Sequence, residues 1–101
     1  MSSLRRIDDP GQPPRWLHVD YDPTDIPEVT KHGVLGRPHR ALEVKGGRVE
    51  VRRGWCFSSG HMEVYEEEPE ASWALDDPGL AEGVGRLFGE AVARDVIALR
   101  E

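Results

Sequence analysis

The sequence predicts an α+β domain: a meandering antiparallel sheet of four to five strands, half-barrel-like, with one face covered by a C-terminal helix. Two observations support this prediction. Apolar and polar residues alternate in short segments between residues 16 and 75, which is the period of strands. Apolar residues then recur at three- and four-residue spacing over residues 80–99, which is the period of a helix. Strands followed by a helix bury their apolar faces best as two packed layers.

The central element is a predicted β-hairpin over residues 40–53. Gly46 and Gly47 can supply the positive φ angles that a two-residue primed turn requires. Counting outward from this turn gives the cross-strand pairs Lys45 with Arg48, Val44 with Val49, Glu43 with Glu50, Leu42 with Val51, Ala41 with Arg52, and Arg40 with Arg53. One face of the hairpin is therefore apolar near the turn. The other face carries the glutamate pair and is expected to be solvated.

The segments before the hairpin show weaker signals. Residues 1–15 are polar and contain Asp-Asp-Pro-Gly and Pro-Pro, so they predict a mobile or draped N-terminal arm. Residues 16–101 would then form the single α+β domain. Residues 16–21 alternate and predict a strand. Residues 24–33 have an early Thr and Pro, late basic residues and a final Gly, which predicts a short helix near residues 26–32.

The segments after the hairpin continue the meander. Residues 54–57 can prolong its second strand before a Ser-Ser-Gly turn. Residues 61–66 alternate again and predict a further strand. An acidic bend at Glu66–Glu70 follows, and residues 71–75 predict one last short strand.

The C-terminal helix is predicted to begin with Asp77 as its N-cap and Pro78 in its first turn. Its apolar stripe consists of Leu80, Val84, Leu87, Phe88, Ala91, Val92, Val96 and Leu99. Gly83, Gly85 and Gly89 inside the helix cost roughly 2 to 3 kcal/mol together relative to alanine. This cost predicts a close approach to the sheet or a break near Gly89. A small-residue seam against a second subunit is the alternative.

Composition limits the class of protein. A chain of 101 residues with 38% hydrophobic and 32% charged residues fits one small globular domain. It contains no apolar run of the roughly 18 residues that a membrane-spanning helix needs, and no apolar segment follows Met1–Arg6 as in a secretory signal. Cys56 is the only cysteine, which suits a reducing compartment. We therefore expect a cytoplasmic protein that does not contact a membrane.

The net charge of −6 is unevenly distributed along the chain. Residues 1–62 carry ten Lys or Arg against eight Asp or Glu, whereas residues 63–101 carry three against eleven. Nonspecific nucleic-acid binding depends on neutralising many phosphates, which an acidic chain does poorly. No nucleic-acid partner is expected for this small acidic protein.

No established catalytic or metal-binding pattern is present. His18 and Asp20 lie on one face of a predicted strand, where a carboxylate could orient an imidazole, but no serine or cysteine is tied to them by sequence. One set of possible transition-metal ligands lacks the paired spacing of zinc sites: His32, His39, Cys56 and His61. The chain has no P-loop, dinucleotide fingerprint or nucleophile elbow. We therefore expect no metal and no cofactor, and the sequence leans away from an enzyme.

A basic cluster at the open end of the hairpin is the candidate ligand- or partner-binding site, and it consists of Arg37, His39, Arg40, Arg53 and Trp55. Strand alternation carries Arg40, Arg53 and Trp55 onto the extension of the apolar face and places His39 on the other side. Guanidinium groups beside an indole suit a carboxylate, a phosphate or an acidic partner segment. The alternative is that the acidic bend folds back and pairs with these arginines.

These observations favour a non-catalytic protein-interaction domain, namely an adaptor, regulator or accessory subunit that binds another protein or a second copy of itself. The alternative is an anion-binding or enzymatic domain that uses the Arg/His/Trp cluster to hold a small anionic ligand. In both cases the turn end of the hairpin is expected to be structural, and any function of this stretch is expected at its open end.

Overall fold

A computed structural model describes residues 3–20, 28–29, 35–57 and 62–100 of the chain. The strands are β1 (Arg5–Ile7), β2 (Arg15–Asp20), β3 (Glu28–Val29), β4 (Leu35–Lys45), β5 (Arg48–Phe57), β6 (Met62–Tyr65) and β7 (Ala71–Ala74). The helices are α1 (Leu80–Phe88) and α2 (Glu90–Ala98). The strand pairings are antiparallel. The predicted α+β class is therefore confirmed.

The sheet is open, and its main path follows the order β1-β2-β4-β5-β6. Two further strands pair beside the central hairpin: β3 with the start of β4, and β7 with the part of β5 that follows the turn. Each flanking strand in the described residues pairs with β4 or β5 directly, or through β2. The β4–β5 hairpin is thus the element on which the sheet is built.

The cross-strand pairs predicted by counting outward from the turn are all confirmed, from Lys45 opposite Arg48 to Arg40 opposite Arg53. Gly46 and Gly47 have φ angles of 58° and 76°, the positive values that a primed turn requires.

One face of the sheet is buried against both helices, as the layered prediction required. The core combines residues of the hairpin, the helices and the N-terminal segment: Leu4, Leu42, Val44, Val49, Val51, Leu80, Val84, Val92, Ala93 and Val96. Burying each large aliphatic side chain contributes roughly 1.5 to 3 kcal/mol. The helical layer therefore holds the turn half of the hairpin.

The two expectations drawn from the helix glycines both occur. Gly89 divides the helical segment into α1 and α2, with φ of 95° and ψ of 168°, a conformation that is nearly confined to glycine. Gly83 approaches Trp73 so closely that a Cβ atom there would lie 2.3 Å from the indole ring. Gly85, in contrast, has no atom within 4 Å of such a Cβ. The helices therefore pack tightly on their own sheet at Gly83.

The start of α1 differs from the prediction. The helix begins at Leu80, and its N-cap is Gly79 rather than Asp77. The Asp77 carboxylate instead accepts a hydrogen bond from the Gly79 N–H at 2.7 Å, so it stabilises a turn that precedes the helix.

Two N-terminal segments also differ. β1 was not predicted, because a strand of three residues is too short to show alternation, and neither was the burial of Leu4 beside it. That residues 1–15 form a mobile arm stays a prediction. The predicted helix near residues 26–32 lies mostly outside the described residues. At its described positions, Glu28–Val29, it is wrong: the chain is extended there and pairs with β4, because strand pairing outweighs local helix signals.

Candidate functional site

The strand residues divide between two faces that differ in charge. The helix-side face carries the core. The other face, on which no described helix packs, is called the open face and includes Arg5, Arg15, Leu17, Val19, Arg37, His39, Ala41, Glu43, Lys45, Arg48, Glu50, Arg52 and Tyr65.

The sheet separates the predicted binding cluster into two groups. Arg40 and Arg53 lie directly opposite each other, and Trp55 lies on the same side of β5 as Arg53. Arg37 and His39 alternate with Arg40 along β4 and therefore lie on the open face. The five residues do not converge on one pocket in the described part of the chain.

Arg40 is held by an internal carboxylate. Its Nε and Nη2 donate hydrogen bonds to the two carboxylate oxygens of Glu70 at 2.9 and 3.1 Å, which is a bidentate ion pair. These hydrogen bonds lower the pKa of Glu70, and the positive charges of Arg40 and Arg53 lower it further, while partial burial opposes the shift. The same contact raises the pKa of Arg40, with a smaller contribution from Asp20. This pairing is the alternative that the sequence analysis left open.

The backbone explains how Glu70 reaches Arg40. The acidic bend, Glu66–Glu70, follows the outer edge of β5 between β6 and β7. The N–H of Glu66 donates to the carbonyl of Arg53 at 2.9 Å, and the N–H of Glu70 donates to that of Val51 at 2.7 Å. The bend is therefore fixed on the sheet, with Glu70 one strand away from Arg40.

The side chain of His39 is buried against other residues and is not presented to an external ligand. Only 6% of the residue is exposed, and its ring meets that of Tyr65 edge-on, with 5.2 Å between the ring centroids. Gly54 lies between them in the strand register, and its missing side chain leaves the space in which the two rings meet. An external ligand would reach little of the imidazole.

His18 also has a structural environment. Its Nδ1 lies 3.0 Å from the carbonyl oxygen of Ser3, and its ring meets that of Phe88 edge-on at 5.5 Å. Ser3 in turn donates from its N–H and its hydroxyl to Asp95 on α2, at 2.7 and 2.6 Å. These hydrogen bonds lower the pKa of Asp95. His18 therefore helps to fasten the N-terminal segment to the helical layer.

The open face carries a row of cations beside the hairpin turn, which we call the basic row: Arg15, Lys45 and Arg48. Lys45 lies directly opposite Arg15 on β2 and directly opposite Arg48 on β5. Directly opposite residues have Cβ atoms about 5 Å apart, and like charges at this spacing destabilise a sheet. Asp9, in the loop before β2, lies 3.5 Å from the Arg15 Nε.

The described residues neutralise only part of this row. Arg15 donates from Nη1 to Glu43 at 3.0 Å. Arg48 donates from Nη2 to the uncharged Ser72 hydroxyl at 2.6 Å. Lys45 is exposed, and neither Lys45 nor Arg48 forms an ion pair with any residue that the structure describes.

Arg15, at one end of the basic row, lines a concavity of about 360 Å³ on the open face. Leu17 and Ala41 give it apolar surface. Its charged lining consists of two neutralised pairs, Arg15 with Glu43 and Arg52 with Glu50 at 3.4 Å, and Tyr65 completes the lining. The concavity can therefore accept an apolar side chain next to Arg15, which is the end of the basic row.

Within residues 3–20, 28–29, 35–57 and 62–100, no group of three or more His, Cys, Asp or Glu residues is placed to hold a metal ion. Of the four possible transition-metal ligands in the sequence, His32 and His61 lie outside these residues. In the same part of the chain, neither helix has the length and apolar character needed to cross a membrane.

No protein-family model, curated protein or solved structure matches the chain. Its function is therefore inferred from its own geometry. The basic row was not predicted, because only one of its two cross-strand pairs joins residues that are close in sequence. The hairpin count places Lys45 opposite Arg48, but the pairing that brings Arg15 beside Lys45 joins strands that are distant in sequence.

Proposed function

We propose that this protein is a non-catalytic interaction domain that binds another protein through the open face of its sheet. The charge of this face carries the proposal, because the face is basic on a chain whose net charge is −6. Among strand positions with described side chains, its cations are Arg5, Arg15, Arg37, Lys45, Arg48 and Arg52, and its carboxylates are Glu43 and Glu50.

The size of the face supports a protein partner. The five strands of the main path contain 3, 6, 11, 10 and 4 residues. At about 3.4 Å per residue and about 4.8 Å between strands, they cover roughly 550 Å² before side-chain relief is counted. A standard protein–protein interface buries about 800 Å² on each partner, which is the same order. The mixture of half-buried apolar residues and charges also resembles the composition of such interfaces.

Binding has more support than catalysis. Glu43 and Glu50 are each occupied by an arginine, whereas a general acid or base must reach a substrate proton. His39 is buried against Tyr65. The anion-binding alternative at the open end is weaker for a related reason, since Arg40 already holds Glu70 in the geometry that an external carboxylate would adopt.

The test compares two charge reversals of equal size on opposite layers. Lys45→Glu with Arg48→Glu changes the open face, and Arg86→Glu with Arg94→Glu changes exposed positions on the helices. Proteins that co-purify with the wild type from its source cells should be lost with the first variant and kept with the second. Circular dichroism checks that both variants fold.

Two results would overturn the proposal. The first is retention of the same proteins by both variants, which would place the interaction elsewhere. The second is a wild type that captures no protein and elutes as a strict monomer in size-exclusion chromatography with light scattering.

A further inference from the structure

We infer that the element of the partner that docks on the open face is an acidic protein segment, with Asp and Glu side chains along the basic row. This inference rests on the proposed function and adds the chemistry of the partner. It is argued from the spacing of the cations, their unused hydrogen-bond donors and the shape of the adjoining concavity.

The spacing of the basic row fits alternate residues of an extended chain. Three cations on adjacent strands, about 4.8 Å apart, span roughly 10 Å. Side chains at i and i+2 of an extended segment point the same way and lie about 7 Å apart. Two carboxylates of a segment crossing the strands therefore fit within the row, one on each side of Lys45.

The donors of Lys45 and Arg48 are available to such carboxylates. Arg48 uses one nitrogen to bond the Ser72 hydroxyl, and an arginine has five N–H donors in a planar fork that can hold a carboxylate in a bidentate way. Lys45 lies between two other cations, so a carboxylate beside it relieves repulsion on both sides. Docking an acidic segment supplies the counter-charge that the described fold does not.

The neighbouring residues favour a peptide over a nucleic acid. Arg15 and Arg52 already pair with Glu43 and Glu50, so around the row and the concavity only Lys45 and Arg48 lack a described carboxylate, which is too few cations to neutralise a continuous phosphate backbone. Nucleic-acid binding requires many phosphates to be neutralised, which a chain with a net charge of −6 does poorly. A peptide can space its carboxylates along the row and place an apolar side chain over Leu17 and Ala41, in the concavity of about 360 Å³.

The experiment uses three labelled synthetic peptides of equal length with the full chain. In the first, Glu alternates with Ser around a central Leu; the other two carry Gln or Lys in place of Glu. Fluorescence anisotropy at low salt should show binding of the Glu peptide alone, weakened roughly tenfold when the salt is raised to about 0.2 M. Lys45→Glu with Arg48→Glu should weaken that binding at least tenfold, and Arg86→Glu with Arg94→Glu should leave it unchanged.

The other possible results of these binding experiments distinguish failure of the acidic-segment inference from failure of the proposed function. Equal binding of the Gln peptide, or tighter binding of a single-stranded oligonucleotide at about 0.2 M salt, would overturn the acidic-segment inference. So would Glu-peptide binding that survives the Lys45 and Arg48 reversals. If no peptide binds but those reversals still abolish capture of the cellular partner, the inference is wrong and the proposed function stands. If neither effect is seen, both are wrong.

Discussion

Each end of the central hairpin places two like charges opposite each other, and the two ends differ in whether the fold supplies a carboxylate to pair with them. At the open end Arg40 faces Arg53, and Glu70 from the acidic bend holds Arg40 in a bidentate ion pair. At the turn end Lys45 faces Arg48, and no described carboxylate pairs with either one. A like-charge pair therefore does not by itself identify a binding site. What matters is whether the fold supplies the opposite charge.

The two ends also differ in their support. The turn half of the hairpin is backed by the helical layer, through Val44 and Val49 in the core and Trp73 against Gly83. The N–H of Leu75, directly after β7, donates to the carbonyl of Gly47 at 2.8 Å and ties the turn to the segment that leads into α1. The turn end is thus a fixed platform that presents unneutralised cations.

The largest expected effect tests this support. Gly83→Ala places a methyl group where the Trp73 ring lies 2.3 Å away, so we expect the free energy of unfolding to fall by about 1 to 3 kcal/mol. Gly85→Ala is the matched control. It meets no atom within 4 Å and should be neutral or stabilising by up to about 1 kcal/mol, because alanine favours a helix more than glycine does. Urea denaturation measures both, and equal effects would contradict the close packing.

A smaller effect tests the internal ion pair at the open end. Glu70→Gln should lower the free energy of unfolding at neutral pH by roughly 0.5 to 1 kcal/mol, since the pair is partly exposed. The folded-state pKa of Glu70 lies below its ordinary value of 4.5, so the unfolded chain binds this proton more readily. The stabilisation is therefore present above pH 4.5 and lost as the pH falls through the lowered pKa.

Stability curves against pH for the wild type and Glu70→Gln should accordingly converge in acid. Glu67→Gln removes an exposed glutamate of the same bend that forms no ion pair in the described chain, and it should leave the curve unchanged. A gap between wild type and Glu70→Gln that stays constant through the acid range would show that the Arg40 contact does not act through charge.

The sequence could predict those features of the hairpin and of the helical segment that depend on residues close to one another in the chain. The register from Gly46 and Gly47 outward follows from turn chemistry, and the break at Gly89 follows from helix propensity. It could not predict that Arg15 lies beside Lys45, because that contact depends on a pairing between distant strands.

The same reason accounts for the other differences. The burial of His39 depends on Tyr65 lying across Gly54 from a third strand. The pairing of Glu28–Val29 with β4 overrode local signals for a helix. The pairing of Arg40 with Glu70 could be proposed from the sequence as an alternative to ligand binding, because the acidic bend is a conspicuous run of glutamates.

The smallest effect tests the central claim most directly, namely that the fold neutralises Arg40 at the open end and leaves Lys45 and Arg48 at the turn end without a described carboxylate. We would measure the free energy of unfolding of Lys45→Gln and Arg40→Gln at low salt and at about 0.5 M salt, where exposed charges are screened. Lys45→Gln should be more stable than the wild type by about 0.2 to 0.5 kcal/mol at low salt, with the gain lost at high salt. Arg40→Gln should be less stable than the wild type. A Lys45→Gln variant that loses stability as Arg40→Gln does would contradict the account.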